Sequence, residues 1–447
     1  MKVVRIEPMR GLEEKVETRL RDGQLEAAKC WNLCVELHKT ARNTKQPWPG
    51  LNELHAATKG QFSLHSQTIQ QIIRAFLGSV TTIRKLKAQG HARARYPHKE
   101  KRFFPLMWPS QAVAVYEKKI VLPMGRGRKS IVLKRPAEMP DSGAAARIVW
   151  NRTGYELHWT LDAPEQAPVV SEVRATVDLG QIHQAAVSTN TGKALIVSGR
   201  KIRSEKRGTN MMHGRLARMQ KRCEKYSRRY RRLQRARNRQ ALKFERRVRD
   251  LRHKGVRAVI DFCVAAGAGK VFVGNPHGVR KHSKGRHHRQ RMSQWEYGKD
   301  IQYIGQVATR AGIECFDGNE RGTSSCCPRC GHRKKPSGRN WNCPRCGFKG
   351  HRDIVGSVNM HELSFGQQIE FPVEITYLRP GQKSFWQAAG MKNPQLGSSS
   401  GLDTGRERRA SGARVAESVC SVQPLIAMRR RQPQEQTDTR NLEAHPL

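Results

Sequence analysis

The sequence predicts an α+β multidomain protein, and three observations carry that prediction. Apolar residues in the first 170 positions pass from helical spacing to short β runs. From Val173 onward, strand-like segments return beside one another around an acidic residue. A doubled Cys-Pro-Arg-Cys-Gly, at Cys327–Gly331 and Cys343–Gly347, marks a small metal-stapled insertion. At 447 residues the chain has room for two or three domains with real cores.

The amino-terminal module begins helical. A helix is predicted from Asp22, as N-cap, through Ala27, Ala28, Trp31 and Val35. A second runs from Ser66 with Ile69, Ile72, Ile73, Phe76, Val80 and Ile83 on one stripe. Short β runs follow at Val113–Tyr116, Ile120–Leu122 and Ile131–Leu133. A hairpin then turns at Asn151–Gly154, and its second arm alternates Tyr155, Leu157, Trp159 and Leu161. These runs suit a small antiparallel barrel or sheet. The segment from His91 to Phe104 interleaves Arg93, Arg95 and Arg102 with Tyr96, Phe103 and Phe104. That mixture suits phosphate contact with base stacking, and equally a solvated loop.

Ala163–Pro168 reads as a linker. Beyond it a strand ends in Asp178-Leu179-Gly180, and the chain returns through Ala185–Thr189 and Ala194–Val197. Three adjacent strands with the acid on the first are the opening of an RNase H-like sheet, although the triplet alone is also an ordinary turn. Leu216, Met219, Cys223, Tyr226, Tyr230 and Leu233 are spaced by three and four, the seam of a helix lying along another. Phe244, Val248, Leu251, Val259 and Phe262 continue the spacing after a phase break near positions 235–240, which predicts a long helical hairpin. Its outer faces carry Arg228, Arg229, Arg231, Arg232 and Arg235 with little acid four residues away. Such a run is costly unless phosphates neutralise it, so it reads as a nucleic-acid track.

Val271–Asn275 gives a fourth strand, followed by a basic loop with His282, Arg286, His287, His288 and Arg289. A helix with Trp295, Ile301, Ile304 and Ala308 then leads to a fifth strand, Ile313–Asp317. After the cysteines a helix starts near Arg352, and beyond Phe365 the turn-rich composition predicts a disordered basic tail.

Cys327, Cys330, Cys343 and Cys346 form a C-x2-C-x12-C-x2-C pattern. Four thiolates in two knuckles suit a closed tetrahedral Zn²⁺ site, structural in role, with Gly331 and Gly347 at the sharp turns. No apolar targeting run precedes them, and a chain of this size does not need disulfide staples. Cys326 is out of phase with the knuckle. Lys and Arg number 84 against 37 Asp and Glu, a formal charge of +47. That balance calls for a polyanion partner, held through counterion release. No stretch is long enough to span a bilayer, so no membrane partner and a cytoplasmic location are expected.

The ordered set of Asp178-Leu179-Gly180, the arginine-rich hairpin, the strand at Val271, Thr323-Ser324 before the ribbon, and His351-Arg352-Asp353 through Asn359 resembles the TnpB family. These are transposon-encoded OrfB proteins with a zinc ribbon, similar to the ancestors of type V CRISPR effectors. The resemblance implies a wedge-like β-barrel over residues 1–170 with a helical recognition insertion at about 15–90. It implies a RuvC-like (RNase H-like) nuclease domain over 171–320 and 348–365, its hairpin at about 205–268, a ribbon over 321–347 and a tail over 366–447. It further implies a monomeric ribonucleoprotein in a prokaryotic cytoplasm, associated with the nucleoid when bound to DNA. That particle would use a transposon-end guide RNA to cut double-stranded DNA beside a short adjacent motif.

Phosphodiester hydrolysis at such a site needs carboxylates holding two Mg²⁺ about 4 Å apart. Asp178 matches the family's first acid and Asp353 its last, the latter favoured as an anion at a helix start. The middle acid departs from the family: where a Glu is usual at the end of the fourth strand, this chain has Gly274-Asn275. In the RNase H arrangement that the resemblance implies, the fifth strand lies beside the fourth, about 4.8 Å away; here it is followed by Glu320, long enough to reach the same ions. Asp178, Glu320 and Asp353 are therefore the expected catalytic and Mg²⁺-binding triad. A nuclease-dead, repressor-like RNA-guided DNA-binding protein is the alternative. No separate tyrosine–histidine strand-transfer site stands out.

Overall fold

A computed structural model describes residues 2–162, 166–276 and 285–381. The chain divides into two compact units, one through Pro164 and the other from Glu165.

In the first unit, β1 (Lys2–Met9) is followed by α1 (Glu14–Asn43), α2 (Leu51–Thr58) and α3 (Ser66–Ala88). Helix α1 starts eight residues before the expected cap at Asp22, because the buried stripe already includes Leu20 and because Glu14 and Glu17 favour the positive end of the helix. Short strands complete the unit: β2 (Leu106–Trp108), β3 (Ala114–Val115), β4 (Lys119–Leu122), β5 (Ile131–Lys134), β6 (Ala145–Trp150) and β7 (Tyr155–Asp162). They form a four-stranded ladder, β1-β7-β6-β2, and a three-stranded one, β3-β4-β5. Where a small barrel or sheet was expected, the described strands form two separate ladders. Trp31 of α1 ties helices to strands, stacked on Phe104 at 4.7 Å and edge-on to Phe76 at 5.5 Å. The basic segment between α3 and β2 is pinned where Asn32 exchanges two hydrogen bonds with the Lys101 backbone, at 2.8 and 2.9 Å.

The second unit is a six-stranded sheet. It comprises β8 (Arg174–Leu179), β9 (His183–Thr189), β10 (Lys193–Ser198), helices α4 (Arg200–Lys221) and α5 (Arg228–Ala265), β11 (Lys270–Asn275), α6 (Arg286–Gln294), α7 (Tyr297–Arg310) and β12 (Glu314–Asn319). The ribbon strands β13 (Asn340–Asn342) and β14 (Lys349–His351) follow, then α8 (Arg352–Phe365) and β15 (Glu374–Leu378). The strand order is β12-β11-β8-β9-β10-β15, with β9 antiparallel to both neighbours and β11 and β12 parallel to β8. This is the RNase H order extended by one strand. Side chains alternate across the sheet: Ala175, Val177 and Leu179 pack with α5 and α7. Thr176 points the other way and donates to the Ser357 carbonyl of α8 at 2.6 Å, and Asp178 shares its side of the strand.

A buried ion network closes the α5–α7 side. Arg252 bonds Asp300 at 3.0 Å and Glu296 at 2.6 Å, and Gln184 of β9 donates to Asp300 at 3.3 Å. Removing one partner would leave the others charged in a low-dielectric core.

Three details differ from the sequence reading. The α4–α5 turn lies at residues 222–227, and α5 runs unbroken through 235–240. Tyr226 takes a left-handed φ of 68°, and the Ser227 hydroxyl caps α5 by accepting from the Tyr230 amide at 3.2 Å. Arg286, His287, His288 and Arg289 belong to α6 and not to a loop; His282 lies outside the described residues. The expected structureless tail does not begin at Phe365, because β15 pairs in parallel with β10, from Lys193 opposite Glu374 to Val197 opposite Leu378. Leu378 and Ile369 are buried, which supplies the apolar area that orders this stretch. Residues 382–447 lie outside the described residues.

Candidate functional site

Three carboxylates meet at one end of the sheet. Asp178 is the penultimate residue of β8, Asp353 is in the first turn of α8, and Glu320 directly follows β12. Glycines make the room. A Cβ on Gly356 would stand 2.5 Å from Asp178 Oδ2, so α8 can cross this close to the acid only without a side chain there. A Cβ on Gly274 would fall on the Glu320 carboxylate and 2.8 Å from Met360 Sδ. Strand register explains the encounter: Gly274 pairs with Gly318 and Asn275 with Asn319, which puts Glu320 one step beyond the end of the fourth strand. Glu320 Oε2 is buried and has no hydrogen-bond partner.

The electrostatics separate these acids. Burial raises the Asp178 carboxyl well above its usual range, and the Glu320 and Asp353 charges add to this against Arg352 and Arg339. Burial pushes Glu320 up to about 7. Asp353 goes the other way: burial opposes its charge, but the His183 hydrogen bond and the Arg339 charge outweigh it and hold the carboxyl below its usual value. His183 Nδ1 lies 2.7 Å from Asp353 Oδ2, and Arg339 Nη1 donates to both Asp353 oxygens at 2.8 Å. His351 Nδ1 accepts from the Asp353 amide at 3.3 Å, capping α8, and burial brings this imidazole down to about 4.

Asp178 thus feels both Glu320 and Asp353, but the three acids do not close into one tight donor set. Among the described residues two sets have all ligand atoms within 4.8 Å: the four cysteines, and His183 with His351 and Asp353. Sequence reasoning missed His183 and Arg339. The His183–Asp353 contact spans 170 positions, and only the His351-x-Asp353 spacing was visible along the chain.

The ribbon sulfurs are arranged for an ion. Cys327 and Cys346 Sγ are 3.6 Å apart and Cys330 and Cys343 Sγ 3.5 Å. Tetrahedral Zn–S bonds of 2.3 Å imply edges of roughly 3.8 Å, whereas a disulfide would need about 2 Å. Gly331 and Gly347 share a φ of 69°, and their amides donate to the Cys327 and Cys343 carbonyls at 3.0 and 3.1 Å, so the two knuckles are geometric copies. At Cys343 burial opposes the thiolate, but amide hydrogen bonds from Cys346 and Arg345 prevail and bring the thiol to about 7. Cys326 stands outside the set, its Sγ 3.5 Å from the Gly331 carbonyl. The four-cysteine site is consistent with zinc.

The expected nucleic-acid residues fall on two surfaces. Arg93 and Arg95 line a depression of about 580 Å³ with Arg42, Lys87, Tyr96 and His98, and no carboxylate lines it. Arg102 is exposed, its guanidinium 5.6 Å from the Phe103 ring. On α5, Arg228, Arg229, Arg231, Arg232 and Arg235 are all exposed, and among the described residues none of them pairs with a carboxylate.

Comparison with known proteins gives matches over this same region. The family described as "Probable transposase" (OrfB_IS605) matches residues 157–280, and the family described as "Cas12f1-like, TNB domain" matches residues 297–360. No curated protein sequence matches the chain. Among solved structures, the Cas12f1 of a Cas12f1–sgRNA–target DNA complex shares 12% identity over 78% of this chain and 83% of its own, with a TM-score of 0.55. At that identity the likeness concerns the fold. The mini-RNA-guided endonuclease CRISPR-Cas phi3 aligns over 83% of this chain and 94% of its own at 11% identity and a TM-score of 0.41. Among the described residues no helix is long and apolar enough to cross a membrane.

Proposed function

We propose that this chain, which belongs to the TnpB-like transposon-encoded family, is an RNA-guided DNA endonuclease with Asp178, Glu320 and Asp353 as its cleavage site. The observation that carries the reading is the Glu320 carboxylate standing over Gly274, beside Asp178 and on the α8 side of the sheet. The fourth strand lacks its acid, and the neighbouring strand supplies one in its place.

The residues fit divalent cations. Glu320 Oε2 is a buried oxygen without a donor, and Asp178 is raised by burial and then by two neighbouring negative charges, which cations would offset. Asp178, Glu320 and Asp353 would hold Mg²⁺, which when bound supplies Lewis acidity to the attacking water and to the leaving oxygen. Burial works against the charged forms of both Asp178 and Glu320, and bound cations would favour those charged forms. His183 keeps Asp353 ionised and oriented, and the missing side chain at Gly356 lets α8 bring Asp353 to the end of β8.

The exposed α5 arginines and the Arg93–Arg95 depression would take phosphates of guide RNA and target DNA. The test is cleavage of a matched plasmid by the purified RNA–protein complex in Mg²⁺. Wild type should cut, whereas Asp178→Ala and Glu320→Ala should cut at least about 100-fold more slowly with RNA binding unchanged. Wild-type cutting by Glu320→Ala removes that residue from the site. Target binding without cleavage by wild type overturns the nuclease reading.

A further inference from the structure

We propose that His183, His351 and Asp353 form a mixed nitrogen–oxygen site for one divalent transition ion of the Mn²⁺, Co²⁺ or Zn²⁺ class, bound in preference to Mg²⁺. The site concerns the same end of the sheet as the proposed cleavage centre. Its catalytic consequence rests on that reading, but the binding itself rests on these side chains alone.

His183 comes from a distant strand to meet the neighbouring His351 and Asp353. His183 opens β9, His351 ends β14, and Asp353 lies in the first turn of α8. Their donor atoms all lie within 4.8 Å of one another, and the two imidazole centroids are 5.0 Å apart with planes inclined by 56°. Rings tilted this way are not stacked on each other. His183 is buried and His351 and Asp353 partly so, which limits competing water.

A cation already stands at the carboxylate. Arg339, carried by the ribbon next to β13, puts Nη1 2.8 Å from both Asp353 oxygens. Its side chain is 39% exposed, so it has solvent to move into. Exchange of the guanidinium for a metal ion keeps a positive charge on Asp353. Arg339 thus stands at one of the three donors, the Asp353 carboxylate, where an incoming ion would displace it.

The donor chemistry sets the preference. Two imidazoles and one carboxylate suit borderline transition ions, whereas Mg²⁺ favours oxygen donors and dehydrates reluctantly. A site made only of Asp178, Glu320 and Asp353 would show the opposite bias.

The test uses the full chain with the ribbon's zinc in place. Co²⁺ titrated into this protein should bind at one equivalent, giving weak d–d absorption without thiolate charge-transfer bands. Excess Mg²⁺ should displace it only at concentrations at least about tenfold higher. His183→Asn keeps a donor to Asp353, and His351→Asn keeps a cap for α8, yet each removes an imidazole. Each should weaken Co²⁺ binding at least about tenfold and Mg²⁺ binding by distinctly less, and Arg339→Ala should tighten Co²⁺ binding. Equal affinities for Co²⁺ and Mg²⁺ overturn the proposal, as does Co²⁺ affinity unchanged in both asparagine variants. Co²⁺ binding in a protein that never cleaves DNA overturns the nuclease reading and leaves this one intact.

Discussion

The Glu320 carboxylate occupies the volume that a side chain on Gly274 would take. Gly274 lies in β11 and Glu320 just past the end of its parallel neighbour β12, so the relationship is a register effect: an acid at the end of one strand and an acid just past the end of the next are alternatives for the same space.

Gly274→Ala should therefore displace Glu320. We expect target cleavage to fall at least about tenfold with guide-RNA affinity unchanged, measured as single-turnover rates beside an RNA-binding isotherm. The paired change Gly274→Glu with Glu320→Ala should cut faster than Glu320→Ala alone. A paired variant no better than Glu320→Ala would mean that the space is shared but the function is not.

The sheet was legible because its signals are local. Alternation in Val173–Leu179, the return through Ala185–Thr189 and the acid at Asp178 each lie within a few residues. The hairpin turn was not, since Cys223 and Tyr226 preserve helical apolar spacing straight through it, and only the Ser227 cap and the left-handed Tyr226 mark the break. Helix α6 was missed because Met292 is its one buried residue, too little for an apolar stripe. The acids of the candidate site were reachable from motif order. Arg339 and His183 were not, because their roles arise only when ribbon, β9 and α8 are folded together.

The ribbon should hold one zinc per chain, and its loss should be felt in α8. Trp341 and Phe348 pack around Cys327 and Cys343 with Val355 of α8, and Asn359 donates to the Thr323 and Cys326 carbonyls at 2.7 and 2.8 Å. Cys343→Ser should lower zinc content below one equivalent by elemental analysis and the melting temperature by several degrees. A variant with wild-type melting would show that the ribbon folds independently of the ion.

Acid should weaken the first unit through His38. This ring is fully buried among Trp48, Phe76 and Tyr96, neither nitrogen has a hydrogen-bond partner, and burial with the Arg42 and Arg84 charges brings it down to about 4. An unfolded histidine titrates near 6.5, so between these values the unfolded chain binds more protons. The contribution is whole above about pH 6.5 and is lost as pH falls toward 4, on the order of 3 kcal/mol. His38→Phe should leave stability at pH 7 unchanged or higher and flatten the decline. Urea midpoints at pH 7 and pH 4.5 check this; parallel declines in both proteins would exonerate His38.

The carboxy-terminal boundary of the folded unit should fall after β15 and not at the end of α8. Ile369 packs against Ile196, Ile354 and Val358 on the α8 side of the sheet, and Leu378 reaches the α5–α7 core. Burying two such side chains contributes about 3–6 kcal/mol, and removing β15 also exposes the hydrogen-bonding edge of β10 from Lys193 to Val197. A chain ending at Gly381, with RNA supplied from a separate template, should melt with the full-length protein. A chain ending at Phe365 should melt at least several degrees lower and aggregate more readily through the uncovered edge. Equal melting of the two truncations would show that the sixth strand adds nothing to the sheet, and a chain ending at Gly381 that failed to fold would carry the boundary past the described residues.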